Sequence, residues 1–186
     1  MNPKDYSTGE AARILGLPRR TVSRYCMYGR IPAFQHPLSK TWRIARGDLL
    51  RFIRDNGLDY REPAPPRRIL IVDDDEGVTD YILRVLKDLD RDFVVDSSDN
   101  GYDALVKIGA EVPDLLFLDF KMPKMDGKEV LSALKRGEKT KRIKIIVVTG
   151  YFEMIDEMLG LGADTALAKP FETGRLVEAV NNLLPV

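Results

Sequence analysis

The sequence is short of the residues that staple small secreted or metal-dependent domains. It has one cysteine, Cys26, and one histidine, His36. A disulfide framework and a multi-cysteine zinc site are therefore excluded. No apolar run approaches the roughly 18 residues needed to span a bilayer. The N-terminal stretch MNPKDYSTGE lacks the basic-then-apolar order of a secretory signal. These absences point to a cytoplasmic protein. Net charge is also absent, since 29 Lys+Arg balance 29 Asp+Glu over 186 residues.

The zero hides an asymmetry. Residues 1–68 carry 14 basic and 6 acidic side chains, whereas residues 69–186 carry 15 and 23. Such a split implies two domains with different partners, the basic half being the candidate for nucleic acid. The seam is REPAPPRR (61–68), whose three prolines suit an extended linker better than a helix or central strand. The expected division is 1–60, a linker at 61–68, and 69–186.

From residue 69 onward short apolar runs alternate with helical periodicity. RILIV (68–72), FVV (93–95), DLLFLD (114–119), IKIIVVT (143–149) and TALA (165–168) read as strands. Between and after them, 78–89, 101–109, 128–136, 152–160 and 174–184 read as helices, the first with Val78, Ile82, Val85, Leu86 and Leu89 on one face. Five strands alternating with five helices predict an α/β fold, a parallel sheet covered on both faces. In such sheets functional groups gather at the carboxyl ends of the strands. Those ends carry Asp73, Asp74 and Asp75, then Asp119, then Thr149, then Lys169. Carboxylates crowded this closely repel one another unless a cation joins them. Mg²⁺ is the ion that favours oxygen ligands and phosphate. Carboxylates with Mg²⁺, a hydroxyl and a lysine suit phosphoryl transfer, a carboxylate acting as nucleophile.

The motifs IVDDDE, FLDFKMPKMDG, VVTG and AKPF stand in this order, and with them residues 69–186 resemble a two-component receiver domain. The resemblance implies a flavodoxin-like, doubly wound five-stranded sheet. It also implies Mg²⁺ held by Asp73, Asp74 and Asp119 with the main-chain carbonyl of Lys121, Asp74 being a direct ligand. Asp119 would be the phosphoacceptor, Thr149 would hydrogen-bond the phosphoryl group, and Lys169 would pair with it across a cis Lys169–Pro170 peptide. Asp75 would lie in solvent or near the first helix N-terminus. Two departures stand out. Ala166 occupies the strand-five position where receivers often carry an aromatic residue, and the stretch between Thr149 and Lys169 is about two residues shorter than in many relatives. Tyr151 or Phe152 could replace that aromatic, although the simpler reading makes both loop or core residues. His36 lies outside this half, so a phospho-histidine donor must be another protein, a histidine kinase or phosphotransfer protein, or a small phosphodonor.

In the basic half, Ser7 or Thr8 caps a helix with Glu10 as box partner, and Ala11, Ala12, Ile14 and Leu15 form its apolar face. After Gly16 and Pro18, residues 19–29 read as a second helix with Val22, Tyr25 and Cys26 inward. Two short helices joined by a glycine-containing turn make a helix-turn-helix. Two strand-like runs around a turn at His36–Lys40 form a candidate wing, and 46–56 a third helix with Asp48 near its start. GEAARILGLPRRTVSRYCMYGRIPA and WRIARGDLLRFI resemble the winged helix-turn-helix of excisionase and MerR-like proteins. That resemblance places Arg19, Arg20, Thr21, Ser23 and Arg24 in a DNA major groove, and Lys40 and Arg43 on the backbone or minor groove. Trp42 reads as a core anchor, Cys26 as a small buried hydrophobe, and His36 as an exposed turn residue.

Together the halves imply a DNA-binding response regulator, cytoplasmic, dimeric when active and not an enzyme beyond self-phosphorylation and slow self-dephosphorylation. The competing reading is an adaptor whose helix-turn-helix binds protein. A freestanding phosphatase would need further acid–base groups.

Overall fold

A computed structural model of the chain describes residues 5–37, 40–60, 65–89, 91 and 93–185. The chain divides between Pro66 and Arg67 into two compact units. No helix among the described residues is long and apolar enough to cross a membrane.

The first unit contains β1 (Asp5–Ser7), α1 (Thr8–Leu15), α2 (Arg19–Met27), β2 (Phe34–Gln35), β3 (Trp42–Ala45) and α3 (Arg46–Asp55). Ser7 is the N-cap of α1. Its Oγ accepts the Glu10 N–H at 3.2 Å, and the Glu10 carboxylate accepts the Ser7 N–H at 2.8 Å. Gly16 closes α1 at φ 64°, where only glycine escapes a steric penalty. Ser7→Ala removes the Oγ that accepts the Glu10 N–H, leaving only the bond from its own N–H to Glu10, and should destabilise this unit by about 1 kcal/mol. Denaturation followed by the fluorescence of Trp42, the sole tryptophan, would register it.

Ile14, Val22, Ile31, Ile44 and Leu49 are wholly buried in one core. Trp42 packs against it half-buried. Burial pushes the Cys26 thiol up to about 11, which suits a packing side chain rather than a reactive one. β2 and β3 form the expected hairpin, although residues 38 and 39 of its turn lie outside the described residues. His36 is half-buried rather than exposed, and its backbone N–H and C=O bond Thr41 and Lys40 across that turn. β1 was not anticipated. It pairs antiparallel with β3, Tyr6 opposite Ile44, giving the sheet order β1-β3-β2. Asp48 sits in the first turn of α3, whose N-cap is Ala45.

The second unit contains β4 (Arg67–Val72), α4 (Glu76–Asp88), β5 (Phe93–Ser98), α5 (Gly101–Ala110), β6 (Leu115–Asp119), α6 (Gly127–Arg136), β7 (Lys144–Thr149), α7 (Ile155–Gly160), β8 (Thr165–Ala168) and α8 (Thr173–Leu183). β4 takes up Arg67 and Arg68, so the expected linker ends two residues early, and its residues 61–64 lie outside the described set. The anticipated fourth helix of this unit is divided into a 3-10 turn (Phe152–Met154) and the six-residue α7.

The five strands are parallel in the order β5-β4-β6-β7-β8. Successive side chains of a strand face opposite sides. Ile69, Ile71, Leu115, Phe117, Ile146 and Val148 therefore meet α4 and α8 in one core. Leu70, Val72, Leu116, Leu118, Ile145 and Val147 meet α5, α6 and α7 in a second. Two-sided burial explains the unbroken apolar runs. The chain steps from β4 to opposite edges of the sheet, so the crevice lies at the carboxyl ends of β4 and β6.

Candidate functional site

Register alone assembles the site. Val72 lies opposite Leu118, which sets Asp73 beside Asp119 one step further on. Asp119 is opposite Val148, and Thr149 is opposite Ala168, so Thr149 and Lys169 join the same row. Asp73, Asp119 and Thr149 are 4%, 6% and 0% exposed. The Lys169 ammonium reaches across to both acids, 2.7 Å from Asp73 Oδ2 and 3.1 Å from Asp119 Oδ1. The second oxygen of each carboxylate takes a backbone donor. Asp73 Oδ1 accepts the Asp75 N–H at 3.0 Å, and Asp119 Oδ2 accepts the Lys121 N–H at 3.2 Å. The Lys169–Pro170 peptide is cis.

Burial pushes the pKa of Asp73 up, against the opposing pull of Lys169 and the Asp75 N–H. Burial likewise raises that of Asp119, opposed by Lys169 and the N–H groups of Lys121 and Phe120. Burial would lower the Lys169 pKa, but its pairs with Asp73 and Asp119 outweigh that and hold it above the usual lysine range. One ammonium thus faces two buried carboxylates, with exposed Asp74 alongside.

Oxygens of Asp73, Asp74 and Asp119 lie within 4.8 Å of one another, a hard all-oxygen donor set. Asp73 Oδ2 is buried with no hydrogen-bond donor apart from its ion pair to Lys169. The excess of buried negative charge and the donor chemistry fit a divalent cation such as Mg²⁺.

Asp75 is neither loose nor part of this cluster. It is the N-cap of α4, its Oδ1 accepting the N–H groups of Gly77 and Val78 at 2.8 and 3.3 Å. Thr149 Oγ1 accepts the Tyr151 N–H at 3.0 Å, leaving its own proton available. Ala166 is half-buried in the core facing α6 and α7. Tyr151 packs instead on Phe120, ring centroids 5.9 Å apart, with Lys121 Nζ 5.2 Å from its ring centre. Phe152 is exposed. Sequence reasoning missed the contact of Phe120 with Tyr151. An aromatic residue directly after the acidic strand end was the available signal.

In the first unit α2 buries Val22 and Cys26 and exposes Arg19, Arg20 and Arg24. Thr21 and Ser23 are half-buried. Lys40 is exposed at the hairpin with φ 54°, and Arg43 is half-buried on β3 opposite Phe34 and Ser7.

Comparison with known proteins agrees with this geometry. Residues 69–181 match the response regulator receiver domain, and residues 6–57 match a helix-turn-helix domain. The chain belongs to the response regulator receiver family, with a helix-turn-helix domain fused ahead of the receiver. It is 37% identical to sporulation initiation phosphotransferase F of Bacillus subtilis over 119 residues, 64% of this chain and 94% of that one. It is 36% identical to the alkaline phosphatase synthesis transcriptional regulatory protein PhoP of the same organism over 120 residues, 63% of this chain and 48% of that one. Among solved structures, a response regulator of Chloroflexus aurantiacus superposes with TM-score 0.61 at 32% identity, covering 66% of this chain and all of that one. The Mn²⁺-bound form of response regulator Rcp1 superposes with TM-score 0.58 at 26% identity, covering 65% of this chain and 97% of that one.

Proposed function

We propose that this protein is a DNA-binding response regulator that accepts a phosphoryl group on Asp119 and so controls its hold on duplex DNA. The observation that carries this reading is the buried row of Asp73, Asp119, Thr149 and Lys169 at the sheet's switch point. A carboxylate oxygen of Asp119 attacks the phosphorus of a phospho-histidine. The P–N bond breaks as the O–P bond of an aspartyl-phosphate forms, and the imidazole leaves with a proton. Lys169 then pairs with a phosphoryl oxygen, and Thr149 donates its hydroxyl proton to another. Asp73, Asp74 and Asp119 with the Lys121 main-chain carbonyl would hold Mg²⁺, which supplies charge neutralisation at the phosphoryl oxygens. The Mn²⁺-bound form of the similar response regulator Rcp1 supports a divalent cation here. The chemistry stops at self-phosphorylation and slow self-dephosphorylation. The donor is a histidine kinase or phosphotransfer protein.

Arg19, Arg20, Thr21, Ser23 and Arg24 of α2 are the candidate groove contacts, and Lys40 and Arg43 of the hairpin the candidates for backbone or minor groove. The net positive charge of residues 1–68 supports duplex DNA as their target. So does the name of PhoP, a transcriptional regulatory protein. A module of about 60 residues covers little DNA, so the phosphorylated form acts as a dimer.

Titration of a duplex pool with the full chain tests this. Affinity should fall steeply with salt and change about tenfold on adding a phosphodonor with Mg²⁺. Chelating Mg²⁺ should erase the response. Labelling of Asp119 that leaves duplex affinity unchanged would sink the coupling and favour the protein-binding adaptor.

A further inference from the structure

The outward face of α2 is not basic throughout. With 3.6 residues per turn, Arg20, Arg24, Met27 and Tyr28 fall within a face roughly 100° wide, opposite buried Val22 and Cys26. Arg20, Arg24 and Tyr28 are spaced i, i+4, i+8 and form one row. Tyr28 is the C-cap, at φ −92° and ψ 10°, and its N–H still bonds the Arg24 carbonyl at 3.0 Å. Met27 is 60% exposed and Tyr28 71%. Single exposed hydrophobes are ordinary on a protein surface. Here a thioether and an aromatic ring are adjacent, and they continue a row of arginines at the end of the helix expected to enter the groove.

We propose that Met27 and Tyr28 read thymine, packing against C5-methyl groups in the major groove while Arg20 and Arg24 take guanine edges or phosphates. The inference rests on the DNA-binding reading above. Thymine is the base that offers an apolar group there, and apolar side chains contact it. The arginines on the same face supply the charge complementarity that selects a nucleic acid as occupant. Seven to eight residues at 1.5 Å each separate Arg20 from the pair, roughly 10–12 Å. That distance sets the thymines about three base-pair steps from the position Arg20 reads, and about one to two from that of Arg24.

The test uses the full chain and duplexes it selects from a randomised pool. Replacing a contacted thymine by uracil removes only the methyl group, and should weaken wild-type binding about fourfold per methyl. The variant Met27→Ala with Tyr28→Ala, whose fold Trp42 fluorescence verifies, should lose this discrimination yet keep the wild-type salt dependence. A variant that still prefers thymine over uracil, or a wild type that never does, overturns the inference and leaves the DNA-binding reading standing. A wild type without salt-sensitive duplex binding overturns both, and assigns the exposed pair to a protein partner.

Discussion

Asp119→Asn leaves the chain unlabelled when it is incubated with acetyl phosphate and Mg²⁺, where the wild type gains one phosphoryl group. Asparagine keeps the size and planarity of the side chain, and its carbonyl oxygen can still accept the Lys121 N–H. It lacks a nucleophilic carboxylate oxygen, so no acyl phosphate can form. The substitution also removes one of two buried carboxylates that share the Lys169 ammonium. Asp73 then has Lys169 to itself. Repulsion in the pocket falls, so the fold should be kept or stabilised. Intact mass before and after exposure to the phosphodonor, together with a thermal melt, separates lost chemistry from lost fold. Labelling at the wild-type level would place the acceptor elsewhere. Asp74→Asn is the informative companion. It spares the acceptor but removes an exposed carboxylate of the oxygen cluster, so labelling should become slow and demand more Mg²⁺.

The site was legible in the sequence because each member stands where an apolar run stops. Leu115–Leu118 are all buried, and the next side chain is Asp119; Ile145–Val148 are buried, and the next is Thr149. A parallel sheet with short crossovers then brings strand ends together whatever the loops do. The sheet's edge was less legible. β5 continues through Asp96, Ser97 and Ser98, whereas its apolar run ends at Val95. An edge strand has one neighbour and tolerates polar residues, so composition understates its length. β1 carried even less signal. Three residues cannot show a period, and the strand exists because Tyr6 and Ile44 meet from 38 positions apart. Tertiary pairing of that kind leaves no local trace. The capping residues were read more easily, since Ser7 with Glu10 and Asp75 before α4 act within four residues of themselves. The pairing of Tyr151 with Phe120 joins two loops 31 positions apart, and the aromatic residue after the strand end hints at a contact without naming its partner.

Gly127→Ala joins packing to chemistry. Gly127 opens α6 behind Asp126, whose side chain accepts the Glu129 N–H at 2.9 Å. Its own N–H donates to the Phe120 carbonyl at 2.8 Å, so the loop after β6 folds back onto the strand end. A Cβ added here would lie 2.1 Å from the Asp119 carbonyl oxygen, 3.0 Å from its carbon and 3.1 Å from Phe120 Cα. All three are backbone atoms, so no side chain can swing aside. Either α6 moves outward or the end of β6 moves. The first loosens Val130, Leu131 and Leu134, which are buried against the sheet. The second displaces the acceptor from Lys169. The alanine should therefore cost about 3 kcal/mol of stability, at the upper end of overpacking effects. Phosphodonor labelling should slow by about a hundredfold, as expected for a reacting group misplaced by roughly 1 Å. Far-UV circular dichroism in urea reads the first effect, and the initial rate of mass gain, measured well below the unfolding midpoint, reads the second. Wild-type stability and rate together would mean that the loop yields freely at Gly127. A stability loss with an unchanged rate would mean that α6 yields while the end of β6 holds Asp119 in place.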